Sequence, residues 1–307
     1  MSTLTSADRA LHEFAALVGA DDPIAVEGNR TRWHLGGPLD ESARLVKAPT
    51  GIVDYQPSEM VVTVRAGTTV AELHETLAAA GQTSALPDRG GTVGGAVAVG
   101  ENRLDRLGRG SARDAVLQVR YVSAEGEIVT GGGPVVKNVS GFNLPKLIVG
   151  SLGTLGLIAE VVLRTNPLPP VQRWIRAERV DPRDIRDALL RPGAVLWDGT
   201  SSWALVEGHE VDVDAEVDKL ATLADIADVD GPPELPPHRW FLSPQGAAHV
   251  DTVTDGAFIA SIGVGTVWAE EPPQPAEPDP VAAQIAERTK RLFDPSGRLN
   301  PGRRAGA

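Results

Sequence analysis

The chain has 307 residues, 42% hydrophobic and 23% charged, with 29 Lys+Arg against 41 Asp+Glu, a formal charge of −12 and no cysteine. Its longest basic run is Arg303-Arg304, so it offers no basic face for nucleic acid; the lack of cysteine excludes disulfides, cysteine-ligated zinc, cysteine-held iron–sulfur clusters and a cysteinyl flavin bond within it. No apolar run nears the ~20 residues that span a bilayer and Met1–Val18 lacks the features of a signal peptide, which predicts a cytoplasmic protein, peripheral to a membrane only through a complex.

Domains of roughly 100–200 residues predict two of them here. Ser6–Val18 reads as a helix, with Ser6 as its cap and Leu11, Phe14, Leu17 and Val18 on one face. Val61–Arg65 reads as a strand. Thr69-Val70-Ala71-Glu72 is a capping box, in which the hydroxyl and the carboxylate each satisfy an orphaned helix N–H. The helix it opens carries Leu73 and Leu77 and stops at Gly81. A glycine-rich tract, Pro87–Gly100, leads to a hairpin of Val116–Val122 and Glu127–Thr130 turning at Glu125-Gly126. A second tract, Gly131–Gly156, precedes a buried strand at Leu157–Arg164. Asn166–Pro170 reads as a linker.

Beyond it, Arg173–Val180 predicts a strand and Asp181-Pro182 opens a helix to Leu190, proline being tolerated in a first turn. Ala194–Trp197 and Trp203–Glu207 read as a strand pair. Asp214–Ile226 reads as a helix with Val217, Leu220 and Leu223 inward, and Ala257–Val267 supplies apolar strands. The order β-α-β-β-α-β predicts a small ferredoxin-like α+β domain. Gly231–Pro237 and Glu271–Pro280 are proline-rich loops. Asp279-Pro280 starts a last helix to Leu292, followed by an ordered tail from Phe293 to Gly302.

Familiar catalytic signatures are missing. No G-x-G-x-x-G follows a strand, and there is no Walker A loop, nucleophile elbow or H-E-x-x-H; the six histidines are scattered. No metal site is expected. Three glycine clusters remain: Glu27–Trp33, Gly90–Gly100 and Gly150–Gly156. Glycine lets successive N–H groups converge on an anion and lets the chain press close to a ligand. The same clusters also serve as tight turns and bulges in a twisted sheet, and composition alone does not separate the two.

These passages carry a resemblance. Glu27–Trp33 resembles the pyrophosphate loop of the vanillyl-alcohol-oxidase superfamily, whose FAD-binding domain is called PCMH-type. Thr92-Val93-Gly94-Gly95-Ala96, with Arg106, Gly110 and Arg113-Asp114 downstream, resembles its second FAD segment. Lys137–Leu147 with Gly150–Ile158 resembles its third. That third passage and the ending Phe293–Gly302 are most similar to the smaller flavin-binding subunits of bacterial glycolate oxidases.

The resemblance implies an α+β chain. Residues 1–166 would form a PCMH-type FAD-binding domain of two α+β subdomains and 171–281 the ferredoxin-like cap over the substrate. Residues 282–307 would be a helix and tail returning to the FAD domain. It implies that Gly28, Asn29, Arg30 and Thr31 wrap the FAD pyrophosphate, with Pro87, Thr92, Val93, Gly94, Gly95 and Ala96 opposite. Arg113 and Asp114 would sit by the adenosine half, Gly153, Thr154, Gly156 and Ile158 would lie along the nucleotide and flavin edge, and Arg106, Gly110 and Gly150 complete the expected FAD-binding set. Relatives with a histidyl flavin bond place that histidine in the first loop. Here that loop has none and His34 lies beyond it, so non-covalent FAD is expected.

The implied activity is oxidation of a small 2-hydroxy acid, with a second flavoprotein subunit and an iron–sulfur subunit as partners. Arg239, His238 and His249 are candidates for holding a carboxylate or taking a proton, and a packing role for them is equally open; the catalytic base is not identified. The alternatives are a stand-alone FAD oxidoreductase on another substrate and a scaffold that binds no flavin.

Overall fold

The structure, a computed structural model, describes residues 6–133, 143–252, 254–272 and 279–304. The chain divides into two compact units. The first holds Met1–Arg103, Ser111–Pro167 and Pro278–Ala307; the second holds Leu104–Gly110 and Leu168–Glu277.

In the first unit, antiparallel strands run in the order Ile52–Gln56, Val61–Arg65, Leu157–Pro167, Val116–Val122 and Ile128–Gly132. Gln82–Ser84 pairs with the far end of Leu157–Pro167. Leu157–Pro167 is central and buried from Leu157 through Leu163, which is why that stretch is apolar apart from Glu160. A small parallel sheet, Ile24–Val26 with Arg44–Val46, stands apart, and Leu299 bridges Ile24 in parallel. The mixed helix-and-sheet class is as expected.

The helix Ser6–Val18 buries Leu11, Phe14 and Val18, but Leu17 is exposed. At ~100° per residue Leu17 lies about 60° outside the arc from Phe14 to Ala15, and Ala15 takes the inward place. Thr69 caps the helix Val70–Ala78 by accepting from Glu72 N at 3.1 Å, and Gly81 follows in the left-handed region at φ 69°.

The first glycine tract contains a helix that composition conceals. Val93–Val99 is capped by Thr92, whose hydroxyl accepts from Gly95 N at 3.2 Å, and ends at Gly100, φ 69°. Two glycines lower its propensity, yet the buried Val93, Ala96 and Val97 fall at i, i+3 and i+4, so packing sustains it.

The second unit is a seven-stranded antiparallel sheet. Its order is Ile226–Val229, Val171–Glu178, Ser201–Gly208, Ala194–Trp197, Phe258–Ser261, Thr266–Ala269, His238–Phe241. The first four strands, with helices Pro182–Ala188 and Glu210–Ala221, have the ferredoxin-like order. The sixth element of that motif is Ile226–Val229 rather than the expected Ala257–Val267. The helix stops at Ala221, so Leu223 is exposed while Val213, Val217 and Leu220 face inward. Phe258–Ser261, Thr266–Ala269 and His238–Phe241 extend the sheet beyond the motif. Leu104–Gly110, which the sequence reading kept with the first domain, sits in this unit. There Arg109, 6% exposed, donates to Asp105 at 2.7 Å and to Glu207 at 2.9 Å. Among the described residues no helix is long and apolar enough to cross a membrane.

Candidate cofactor site

The first unit contains a cleft of about 220 Å³. Its walls come from the loop after the strand Ile24–Val26, from the start of the helix Val93–Val99, and from residues around Leu152 and Asn300.

The first loop is held open by its neighbours. Asn29 Nδ2 donates to Gly90 O at 2.9 Å, and Arg30, at φ 55°, donates to Glu27 at 2.7 Å. Glu27 N donates to Val46 O at 2.8 Å, and the next protein-bonded amide is that of Trp33, to Arg30 O at 3.2 Å. Between them, none of the five N–H groups of Gly28 through Arg32 donates within the described residues. Backbone donors left unpaired in a loop are an anion-binding feature.

Space is tight where this loop meets the second tract. A side chain at Gly28 would stand 2.7 Å from Thr92 Oγ1, and one at Gly91 would stand 2.5 Å from the Arg32 guanidinium. The second tract itself donates inward. Val93 N and Gly94 N bond Thr68 O and Ala66 O at 2.8 Å each, and Gly95 N bonds Thr92. Its contribution to a ligand is therefore close approach, while the first loop supplies the open donors.

Of the expected site residues, Gly28, Asn29, Arg30, Thr31, Thr92, Gly94, Gly95, Gly153 and Ile158 line this one cleft. The others lie elsewhere. Val93 and Ala96 are core residues beneath the helix. Buried Pro87 offers its carbonyl to Arg32 at 3.5 Å. Gly150 donates to Val97 O at 3.1 Å, and Thr154 is buried, its hydroxyl donating to Ser151 O at 2.7 Å. Gly156 lies against the Tyr121 ring, leaving no room for a side chain. Arg113 is exposed, and Asp114 pairs with Lys146 at 2.8 Å; that ammonium and the Ser111 hydroxyl hold its carboxyl below the ordinary range. Arg106 and Gly110 belong to the second unit. Within the third passage, Lys137–Phe142 lie outside the described residues.

Sequence reasoning missed several cleft residues. Arg32, 9% exposed, donates to Glu101, 5% exposed, at 2.5 Å, and Arg89 approaches the same carboxylate at 3.3 Å. This pins the first loop to the end of the helix Val93–Val99. Trp33 has two guanidiniums, Arg30 and Arg303, each 5.0 Å from its ring centroid. Asn300 and Arg303 reach the cleft from the tail.

The tail turn rests on Asp294. Its carboxylate accepts from Lys290 at 2.5 Å, Leu299 N at 2.8 Å and Arg298 N at 3.1 Å. Burial alone would raise its pKa, but the ammonium and the two amides outweigh burial and hold the carboxyl below the usual Asp value. Its contribution to stability is full above the unfolded value near ~3.9 and is lost as pH falls through the lower folded value. Asp294→Asn is expected to cost about 1–3 kcal/mol at neutral pH and to flatten the acid limb of the stability curve. Parallel unfolding curves for both proteins from pH 7 to 3 would contradict this.

The second-unit candidates do not form a cluster. His238 and Arg239 lie on the edge strand His238–Phe241, with Arg239 5.0 Å from the Phe241 ring, and His249 sits in the Gly246–Thr252 turn. Among the described residues no group of three or more His, Asp or Glu stands where it could hold a metal.

A loop with open amides, pressed against a capped glycine helix, defines a site for a phosphate-bearing cofactor. Residues 6–132 match the family model described as FAD binding domain. Among curated proteins, the chain is 33% identical over 203 residues to the glycolate oxidase subunit GlcE of Escherichia coli, covering 63% of this chain and 58% of that protein. It is 36% identical over 92 residues to the glycolate oxidase subunit GlcD of Bacillus subtilis, covering 29% of this chain and 20% of that one. It is also 31% identical over 150 residues to the D-lactate dehydrogenase of Archaeoglobus fulgidus, covering 47% of this chain and 33% of that one. The matched stretches thus span less than two thirds of each relative. A solved structure of alkyldihydroxyacetonephosphate synthase superposes with a TM-score of 0.67 at 14% identity, covering 96% of this chain and 74% of that one, and shares the fold.

Proposed function

We propose that this chain is the FAD-binding subunit of a glycolate-oxidase-like complex that oxidises a small 2-hydroxy acid to the 2-oxo acid. The observation that carries this reading is the run of open amides from Gly28 to Arg32 beside Thr92. A pyrophosphate is the anion that such a row fits, and Gly28, Asn29, Arg30, Thr31, Gly94 and Gly95 would hold it. Gly153 and Ile158 would lie along the rest of the cofactor. When bound, FAD supplies a hydride acceptor for C2 of the substrate.

Attachment is non-covalent in this reading. The first loop carries no histidine or cysteine, and His34 does not line the cleft but an adjoining hollow with Pro38 and Leu45. The substrate class rests on relatives named for glycolate, D-lactate and D-2-hydroxyglutarate, which share a hydroxyl beside a carboxylate. Partner chains are inferred because two relatives are named as subunits; a second flavoprotein and an iron–sulfur chain are the partners proposed. Residues 1–166 would be the FAD domain, 171–281 the cap over the substrate and 282–307 the returning tail.

The test is a visible spectrum of the purified chain, then anaerobic addition of glycolate and D-lactate. Flavin bands are expected, and acid precipitation should release the FAD into the supernatant. Bleaching only after co-purified partner chains are added supports a companion subunit; bleaching of the chain alone makes it autonomous. No flavin bands after incubation with FAD would remove the reading and leave a scaffold.

A further inference from the structure

We propose, on the basis of the FAD reading, that residues 299–304 form a strap that retains the cofactor, with Arg303 supplying positive charge to its pyrophosphate.

The strap is anchored by secondary structure. Ile24 N donates to Arg298 O and Asn300 N donates to Ile24 O, both at 2.8 Å, so the tail extends the small parallel sheet from which the first loop departs. Beneath it Arg298 is 3% exposed and donates to three carbonyls, Asp22 O at 2.9 Å, Ala124 O at 3.0 Å and Val18 O at 2.8 Å. The root is therefore fixed.

Beyond the root, successive residues bond the third glycine loop and the segment 35–40 that follows the first loop. Asn300 Nδ2 donates to Leu152 O at 3.0 Å and holds the third glycine loop. Asp40 N donates to Pro301 O at 2.9 Å, and Arg304 N donates to Gly36 O at 2.8 Å. Arg303 donates to Leu35 O at 2.8 Å and also to Gly37 O, while its guanidinium stacks on Trp33 of the first loop. Gly302 turns at φ 87°, with no room for a side chain against Pro38 O at 2.5 Å.

Among the buried or half-buried cations of the cleft, charge points to Arg303, since Lys47, which also lines it, is exposed. Three arginines line the cleft. Arg30 is matched by Glu27 and Arg32 by Glu101. Among the described residues Arg303 has no carboxylate partner, and burial lowers its affinity for its proton. A charge partly removed from water without a counter-ion is relieved by an anion alongside. The open amides of Gly28–Arg32 line the same cleft, so one pyrophosphate satisfies both.

The test compares wild type and Arg303→Ala for equilibrium binding of FAD, ADP and riboflavin by calorimetry and flavin fluorescence. Arg303→Ala is expected to weaken FAD and ADP by roughly 10- to 100-fold each and to leave riboflavin unchanged, since riboflavin carries no phosphate. A chain ended at Leu299, with its fold checked by circular dichroism, is expected to release FAD at least about tenfold faster. Equal losses for all three ligands would mark Arg303 as packing only and overturn the proposal. So would unchanged FAD and ADP affinity in a variant of a wild type that binds FAD, leaving the functional reading intact. A wild type that binds none of the three overturns both.

Discussion

Gly94→Val is expected to strip the chain of flavin while leaving most of it folded. A side chain at Gly94 would stand 2.7 Å from Ala66 Cβ and 3.0 Å from Ala66 O, in the residue that follows the strand Val61–Arg65. Valine must push the helix Val93–Val99 away. That breaks the bonds from Gly94 N to Ala66 O and from Val93 N to Thr68 O. It also moves Thr92, which occupies the space that a side chain at Gly28 would fill. Overpacking of this kind costs about 1–3 kcal/mol, so the protein should melt lower but still cooperatively. The larger effect falls on the cleft, where the first loop loses its backing and FAD affinity should drop about 100-fold or more. The check is the ratio of flavin to protein absorbance after incubation with FAD and dialysis, alongside a melting curve. Wild-type flavin content in Gly94→Val would show that the close approach of helix and strand plays no part in binding.

Arg109→Ala is expected to destabilise the second unit by about 3–5 kcal/mol. The guanidinium is nearly buried between two carboxylates that are 5% and 13% exposed. Removing it takes from Asp105 and Glu207 the cation they share, while Gln172 Nε2 still donates to Glu207 at 2.9 Å. Neutralising them as well, in Arg109→Met with Asp105→Asn and Glu207→Gln, should recover much of the loss, because the penalty comes from burying two carboxylates without the cation between them. Tryptophan fluorescence suits the measurement, since five of the six tryptophans, Trp174, Trp197, Trp203, Trp240 and Trp268, lie in this unit. A single and a triple variant with equal unfolding midpoints would show that the charges are not what the site depends on.

The sequence makes local features legible and leaves the distant ones hidden. The hydroxyl cap at Thr69, the hairpin at Gly126 and the buried strand after Gly156 are written in neighbouring residues, and the structure has them where spacing predicts, although the Glu72 carboxylate makes no return bond to the Thr69 amide. The helix at Val93–Val99 was also readable in principle, from Thr92 as cap, Gly100 as stop and an apolar i, i+3, i+4 set, but two glycines masked it. The three clusters do converge in part. The ion pair of Arg32 with Glu101 joins residues 69 positions apart, and Arg303 reaches Leu35 across 268. No spacing rule encodes such contacts. Nor does glycine content reveal that the second tract spends its amides on Thr68, Ala66 and Thr92 while the first leaves its own open. Leu17 and Leu223 show the limit of periodicity, which marks a face without fixing where that face ends.

The strand Ile24–Val26 has Arg44–Val46 as one neighbour and Leu299 as the other. Its partner on that side is made some 275 residues later in synthesis, since Ile24 and Leu299 are the bridged pair. At ~5–20 residues per second a ribosome needs roughly 15–60 s to cover that distance. The residues of the second unit emerge in between, so the chain carries its first unit with an unfinished sheet edge while the middle is being made. Exposed edges invite wrong pairing. Aggregation should therefore be most acute for nascent chains that stop short of Leu299, and supplying FAD early should not help them.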